Sequence, residues 1–188
     1  ARSLEYHPML SKARDLNFGE LQARSLQVLN GVNSWAIRHW FAIGATLVAL
    51  FIFTNHYKIG INASSSLPYH LFIIDKNNKT VEKNAYVAFR WHGGGPYEQG
   101  INFVKQVKGV PGDVVSIQGR QFFINDVYVS TAKERATTGQ LLNIGPTGII
   151  PEGRFFVFAP NVDSLDSRYQ ITGWIAASAV VGRAIIIF

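Results

Sequence analysis

Ile101-Asn102-Phe103-Val104-Lys105-Gln106-Val107-Lys108 alternates with a period of two, and its reading decides the fold. Residues two apart on a strand point to the same side. The pattern therefore predicts a strand with Phe103, Lys105 and Val107 on one face and Asn102, Val104, Gln106 and Lys108 on the other. Lys105 goes with the apolar neighbours and Lys108 with the polar ones. An amine set in an apolar wall loses hydration, which lowers its pKa and lets the neutral form act as a general base. The alternative is a packed stem with the ammonium escaping to solvent.

Runs of the same kind lie on both sides, rich in Val, Ile, Phe and Tyr and divided by Gly, Pro, Asn and Asp. They predict strands over Leu71 to Asp75, Ala85 to Trp91, Asp113 to Gln118, Gln121 to Ile124, Val127 to Ser130, Arg154 to Ala159 and Val180 to Phe188. Gly119-Arg120 and Asn125-Asp126 are two-residue connections of the hairpin type, so the middle of the chain reads as a meander. Gly93-Gly94-Gly95-Pro96 lacks the Gly-Lys-Ser/Thr of a phosphate loop and reads as a hairpin tip. Thr131 to Ile150 reads as a long loop or small insertion. The expected fold class is mainly β over residues 56–188, preceded by one N-terminal transmembrane helix.

That helix is read from Trp35 to Thr54, which holds the longest apolar run of the chain. About 20 residues at ~1.5 Å rise each cross a bilayer, and this stretch suffices when Arg38 and His39 snorkel to the headgroups. About forty residues precede the strictly apolar part, Trp40 to Phe53, which favours a retained anchor over a cleaved signal. Arg2, Lys12, Arg14, Arg24 and Arg38 all precede that part. By the positive-inside tendency, residues 1–34 are cytoplasmic, residues 35–55 cross the inner membrane once, and residues 56–188 are periplasmic. Residues 1–34 read either as a short amphipathic helix on the membrane or as a solvated tail.

The net charge of +6 raises the question of nucleic acid, but the basic residues do not cluster among stacking aromatics. Membrane lipids are the expected partner, and no nucleic acid is. The absence of cysteine excludes a disulfide framework, a thiolate metal site and a cysteine nucleophile. His7, His39, His56, His70 and His92 lack metal-site spacing, so neither a metal nor a cofactor is expected. A Ser-His-Asp triad through His70 or His92 has no flanking motif in its favour. Shortly past the anchor, Asn62-Ala63-Ser64-Ser65-Ser66-Leu67-Pro68 places hydroxyl residues in a turn, with Pro68 fixing the chain direction. Ser66 is read as a nucleophile, the alternative being a Ser-rich linker. Leu67, Leu71 and Phe72 are read as apolar surface at membrane level, against the alternative that they fill the core.

Five segments, taken in order, resemble the successive boxes of the type I signal (leader) peptidases. They are Ser66-Leu67-Pro68, Phe103-Val104-Lys105-Gln106-Val107-Lys108-Gly109-Val110-Pro111-Gly112-Asp113, Ile150-Pro151-Glu152-Gly153-Arg154-Phe155-Phe156-Val157, Ser164-Leu165-Asp166-Ser167-Arg168 and Val181-Gly182-Arg183-Ala184. Pro68 directly after Ser66-Leu67, with Asn62 and Ser64 ahead, is most similar to the conjugative-transfer branch, the TraF-type peptidases that mature plasmid pilins. The resemblance implies a signal-peptidase-like β catalytic domain and a serine endopeptidase with Ser66 as nucleophile and Lys105 as general base. It also implies an oxyanion hole from the Ser66 N–H and the Ser64 hydroxyl. Ser164 would orient the lysine amine, and Asp166 and Arg168 would buttress the site as an ion pair. The implied partner is a precursor protein with a signal peptide, a prepilin in the conjugative branch.

Two departures stand out. Phe158-Ala159-Pro160-Asn161 replaces the family's Gly-Asp-Asn-Arg, which bears on the wiring behind Ser164, and His70 replaces a glycine, which bears on the groove rim. Two alternatives stay open beside hydrolysis: closure of the acyl-enzyme by an amine of the substrate, giving a cyclic pilin, and a non-catalytic, membrane-tethered β module of a conjugation or secretion apparatus.

Overall fold

The computed structural model describes residues 18–188, so the expectations for residues 1–17 lie outside the described residues. The chain divides into two units after Phe51. In the first, helix α1 begins at Phe18 and runs to His56, with its last turns in the second unit. It starts well before the expected Trp35, because Leu21, Gln22, Ala23, Arg24, Leu26 and Gln27 are good helix formers with no proline among them. Leu21–His56 is long enough, and over its apolar part apolar enough, to cross a bilayer. From position 40 onward, Trp40, Phe41, Ile43, Leu47, Leu50 and Phe53 stand exposed on different faces of it. A helix apolar all round suits lipid better than water. Thr46 donates its hydroxyl to the Ala42 carbonyl at 2.8 Å, which hides a polar group inside the helix.

The second unit is mainly β. Strands β1 (Tyr57–Ile61), β2 (Leu71–Asp75), β3 (Tyr86–Arg90), β4 (Asn102–Gly109), β5 (Val114–Gln118), β6 (Gln121–Ile124), β7 (Val127–Thr131), β8 (Gly148–Ile149), β9 (Arg154–Phe158), β10 (Ile175–Ala176) and β11 (Val180–Ile186) form two sheets. The larger has the order β1-β2-β11-β3-β4-β9-β10 and the smaller β7-β6-β5-β8. Asn125 and Asp126 both adopt positive φ, 50° and 63°, the geometry a two-residue hairpin between β6 and β7 requires.

Strand alternation sorts the core. On β3, Val87 and Phe89 join Trp91, Val107 and Val157 on one face, while Ala88 joins Leu67, Phe72, Ile74 and Ala184 on the other. Phe156 and Phe158 of β9 pack with Phe122, Ile124 and Ile150 beneath the smaller sheet. Leu67 and Phe72 are fully buried, so the expectation that they offer apolar surface is corrected. The exposed apolar face lies on the other side of the same edge. In β1, Tyr57, Ile59 and Ile61 alternate with Gly60, which packs toward Ile74. Ile59, Ile73 and Ile185 stand opposite one another across β1, β2 and β11. Ile61 and Ile187 are also exposed, at 78% and 47%.

Candidate active site

Lys105 sits in the middle of β4, opposite Val87 of β3, and is 5% exposed. The alternation expected from the sequence is met: Lys105 and Val107 are buried, whereas Lys108 is half-buried and reaches the Asn84 side-chain carbonyl at 3.2 Å. Burial lowers the Lys105 pKa to about 8, with the Asp166 charge opposing the shift and the Arg168 charge adding to it. Its Nζ donates to Ser164 Oγ at 2.5 Å and lies 5.8 Å from the Phe103 ring centroid.

Behind Ser164 stands a closed polar network. Asp166 and Arg168 are fully buried and meet in two parallel bonds, Nε to Oδ1 and Nη2 to Oδ2, both 2.8 Å. Burial pushes the Asp166 carboxyl up, while the guanidinium and the Ala159 N–H, 3.1 Å from Oδ2, favour its ionised form. Burial likewise opposes the charge of Arg168, but Asp166 outweighs it and the guanidinium pKa is raised. Two parallel bonds of this length are the geometry of a charge-assisted Arg–carboxylate pair. Arg168 also donates to Ser130 Oγ and to the carbonyls of Thr131 and Asn161, so its fork is filled.

Ser66 lies in the turn between β1 and β2, fixed on one side by buried Leu67. Asn62 ties that turn together: its Nδ2 donates to the carbonyls of Leu67 and Tyr69 at 3.2 and 2.9 Å. Its Oδ1 accepts the Ser64 N–H at 3.2 Å and lies 2.8 Å from Ser64 Oγ. Ser64 Oγ is 2.9 Å from Ser66 Oγ and 3.4 Å from the Ser66 amide. The Ser66 hydroxyl is thus paired with Ser64, and the Lys105 amine with Ser164.

Ser64, Ser66, Lys105 and Ser164 nevertheless line one groove of about 800 Å³, together with Ile59, Ile61, Tyr97 and Asn161. A second depression of about 600 Å³ adjoins it, sharing Tyr97, Thr137, Asp163 and Leu165. His70 and His92 line neither, so the triad reading finds no histidine in the groove, and His70 does not form its rim. Instead the His70 backbone pairs with Asn62 and Phe188.

Asn161 is a member that the sequence reading passed over. It stands in the segment that departs from the expected Gly-Asp-Asn-Arg, and its Nδ2 donates to Ser65 O and Oγ at 3.0 and 3.2 Å. Its Oδ1 accepts the Asp163 N–H and its carbonyl accepts the Ser164 N–H. One side chain therefore couples the Ser66 turn to the Ser164 turn. The local signal is an Asn after Pro160, a residue type whose side chain closes an Asx-turn on the N–H two residues on, here that of Asp163.

A buried amine of lowered pKa and serine hydroxyls on one groove are the parts a serine hydrolase needs. The chain belongs to the signal peptidase family, peptidase S26, whose profile matches residues 32–188. Signal peptidase I of Bacillus licheniformis is 33% identical over 100 residues, covering 48% of this chain and 53% of that protein. Signal peptidase I U of Bacillus subtilis (strain 168) is 29% identical over 98 residues, covering 48% and 52%. The chain spans about half the length of the curated relatives it matches. A solved signal peptidase I from Enterococcus faecalis V583 is 22% identical, with a TM-score of 0.37 over 59% of this chain and 99% of that one.

Proposed function

We propose that this chain is a membrane-anchored serine endopeptidase that cleaves an exported precursor, with Ser66 as nucleophile and Lys105 as general base. The observation that carries the reading is Lys105 itself: a lysine 5% exposed, its pKa lowered to about 8, on the wall of the groove that Ser66 also lines. Near pH 8 about half of such amines are neutral and able to take a proton. The Ser66 hydroxyl turns from Ser64 toward the amine and gives up its proton to Lys105 Nζ. Oγ bonds to the scissile carbonyl carbon, and the carbonyl electron pair moves onto oxygen. The Ser66 N–H and the Ser64 hydroxyl receive that oxyanion. Collapse expels the amine of the downstream chain, protonated by Lys105. The neutral Lys105 then takes a proton from a water whose oxygen bonds to the acyl carbon, and as the Ser66 Oγ–carbon bond breaks Lys105 returns that proton to Oγ, freeing the acid and restoring the site. Ser164 holds the amine, and the Asp166–Arg168 pair holds the segment that carries Ser164.

The α1 span supports an inner-membrane anchor, and the basic residues ahead of it support a cytoplasmic N-terminus with the β unit in the periplasm. The row Ile59, Ile73 and Ile185, with Ile61 and Ile187, supports contact of the β unit with lipid. The Ser66-Leu67-Pro68 spacing supports a prepilin as precursor and the TraF-type branch. Mass spectrometry of the candidate pilin, from cells with and without this protein, tests the reading. A chain shortened at the signal peptide means hydrolysis. A further loss of one water means ring closure, and an unchanged chain removes the pilin.

A further inference from the structure

Asn62 holds its amide in one orientation. Nδ2 faces two backbone carbonyls, Leu67 O and Tyr69 O, which can only accept, so a flipped amide would set oxygen against oxygen. Oδ1 therefore faces Ser64, and Oδ1 too can only accept. Ser64 Oγ carries one hydrogen but has two oxygens within reach, Asn62 Oδ1 at 2.8 Å and Ser66 Oγ at 2.9 Å. Both contacts are satisfied together only when Ser64 donates to Asn62 and Ser66 donates to Ser64. The resting site is thus a directed chain, Ser66 to Ser64 to Asn62.

We infer that Asn62 is a positioning residue that reserves the Ser64 hydrogen for developing negative charge, an inference that rests on the proposed roles of Ser66 and Ser64. The oxygen holding that hydrogen is an amide carbonyl, the same chemical group as the scissile carbonyl of a bound peptide. Exchanging one amide oxygen for the other gains little, so Ser64 adds little to ground-state binding. Once Ser66 attacks, the substrate oxygen becomes an anion, and hydrogen bonds to ionised acceptors are roughly twice as strong as neutral ones. The hydrogen then moves from Asn62 to the oxyanion. Oδ1 keeps the Ser64 N–H at 3.2 Å, so it is not left bare. Ser66 has by then passed its own hydrogen to Lys105, so Ser64 loses no partner that the reaction needs. The arrangement favours the transition state over the bound substrate.

The test is a double-mutant cycle on the full-length protein in detergent, with Asn62→Ala, Ser64→Ala, the double variant and Ser66→Ala. The probe is a fluorogenic peptide with Ala at the first and third positions before the cleaved bond. Asn62→Ala is expected to lower kcat about tenfold with KM no higher than wild type, and to add less than about twofold in the Ser64→Ala background. Equal losses in both backgrounds, a raised KM at constant kcat, or no loss at all overturns the inference. Thermal unfolding accompanies each variant, and if Asn62→Ala does not fold, Asn62→Ser enters the same cycle, since its hydroxyl can still donate toward the Leu67 and Tyr69 carbonyls while no longer offering Ser64 an amide oxygen. The same loss in kcat, nearly absent in the Ser64→Ala background, is expected; undiminished kcat or equal losses in both backgrounds overturn the inference. Activity of the Ser66→Ala protein would instead sink the underlying peptidase reading, whatever Asn62 does.

Discussion

Lys105 Nζ donates to Ser164 Oγ at 2.5 Å, a bond that joins β4 to the segment after β9 across 59 residues of chain. It leaves the amine fewer rotamers, which matters for a base whose stem of four methylenes is otherwise loose. If Ser164 acts as proposed, by holding the Lys105 amine, Ser164→Ala is expected to lower kcat by roughly 10- to 100-fold with KM little changed. Steady-state kinetics check this, and a change confined to KM would assign Ser164 to substrate binding.

The pH profile follows from the same amine. Its pKa is lowered to about 8, so activity is expected to rise with pH through about 8 and level off above it, whereas an ordinary lysine would carry the rise toward 10.5. Chelators are expected to leave the rate intact. Loss of activity in chelator, restored by zinc, would contradict the chemistry proposed.

Stability rises with pH at Lys105, as activity does, but over a higher window. Because the folded pKa, about 8, lies below the ordinary 10.5, the unfolded chain binds a proton that the folded chain releases between those values. Stability contributed by this group therefore rises with pH across that window, and below about 8 the fold carries the full cost of a buried ammonium. Lys105→Met is expected to abolish activity yet stabilise the fold at pH 7 by roughly 1–3 kcal/mol, an amount reduced by the lost Ser164 bond. Thermal unfolding of the two proteins measures it, and a lower Tm for the variant would contradict the desolvation argument.

Asp166→Ala leaves the Arg168 guanidinium fully buried without its carboxylate. Removing one partner of a buried pair costs about 3–5 kcal/mol, so the variant is expected to unfold at much lower denaturant. A midpoint within experimental error of wild type would mean that Ser130 and the carbonyls around Arg168 suffice alone.

The strands of the meander were legible because their alternation and their Gly, Asn and Asp turns are local. Within the meander β6 falls where the sequence places it, Gln121–Ile124, and outside it β2 does so too, Leu71–Asp75. β1 was not legible: it follows α1 without a turn, and its outward face of Tyr57, Ile59 and Ile61 carries the apolar residues that a half-buried strand turns inward. β8 and β10 are two residues each, too short for any period to show. The burial of Lys105 was legible from its alternation, whereas Ser64, Ser66, Ser164, Asp166 and Arg168 were singled out through the resemblance of the ordered segments; Ser64, Ser66 and Ser164 line the groove with Lys105. The positions of Asn62 and Asn161 were not, because what they hold is a through-space partner: Asn161 reaches Ser65 across 96 residues. The burial of Leu67 stood only as the alternative to exposure, since Phe72, Ile74 and Ala184 that pack with it come from β2 and β11.

The most direct test of the peptidase reading is single-turnover cleavage of a signal-peptide-bearing precursor by the purified full-length protein, followed by intact-mass spectrometry. Wild type is expected to release a shortened product, while Ser66→Ala and Lys105→Met, both folded by circular dichroism, release none. Cleavage by Ser66→Ala at the wild-type rate would contradict the assignment of the nucleophile and leave the chain a binding module of the membrane.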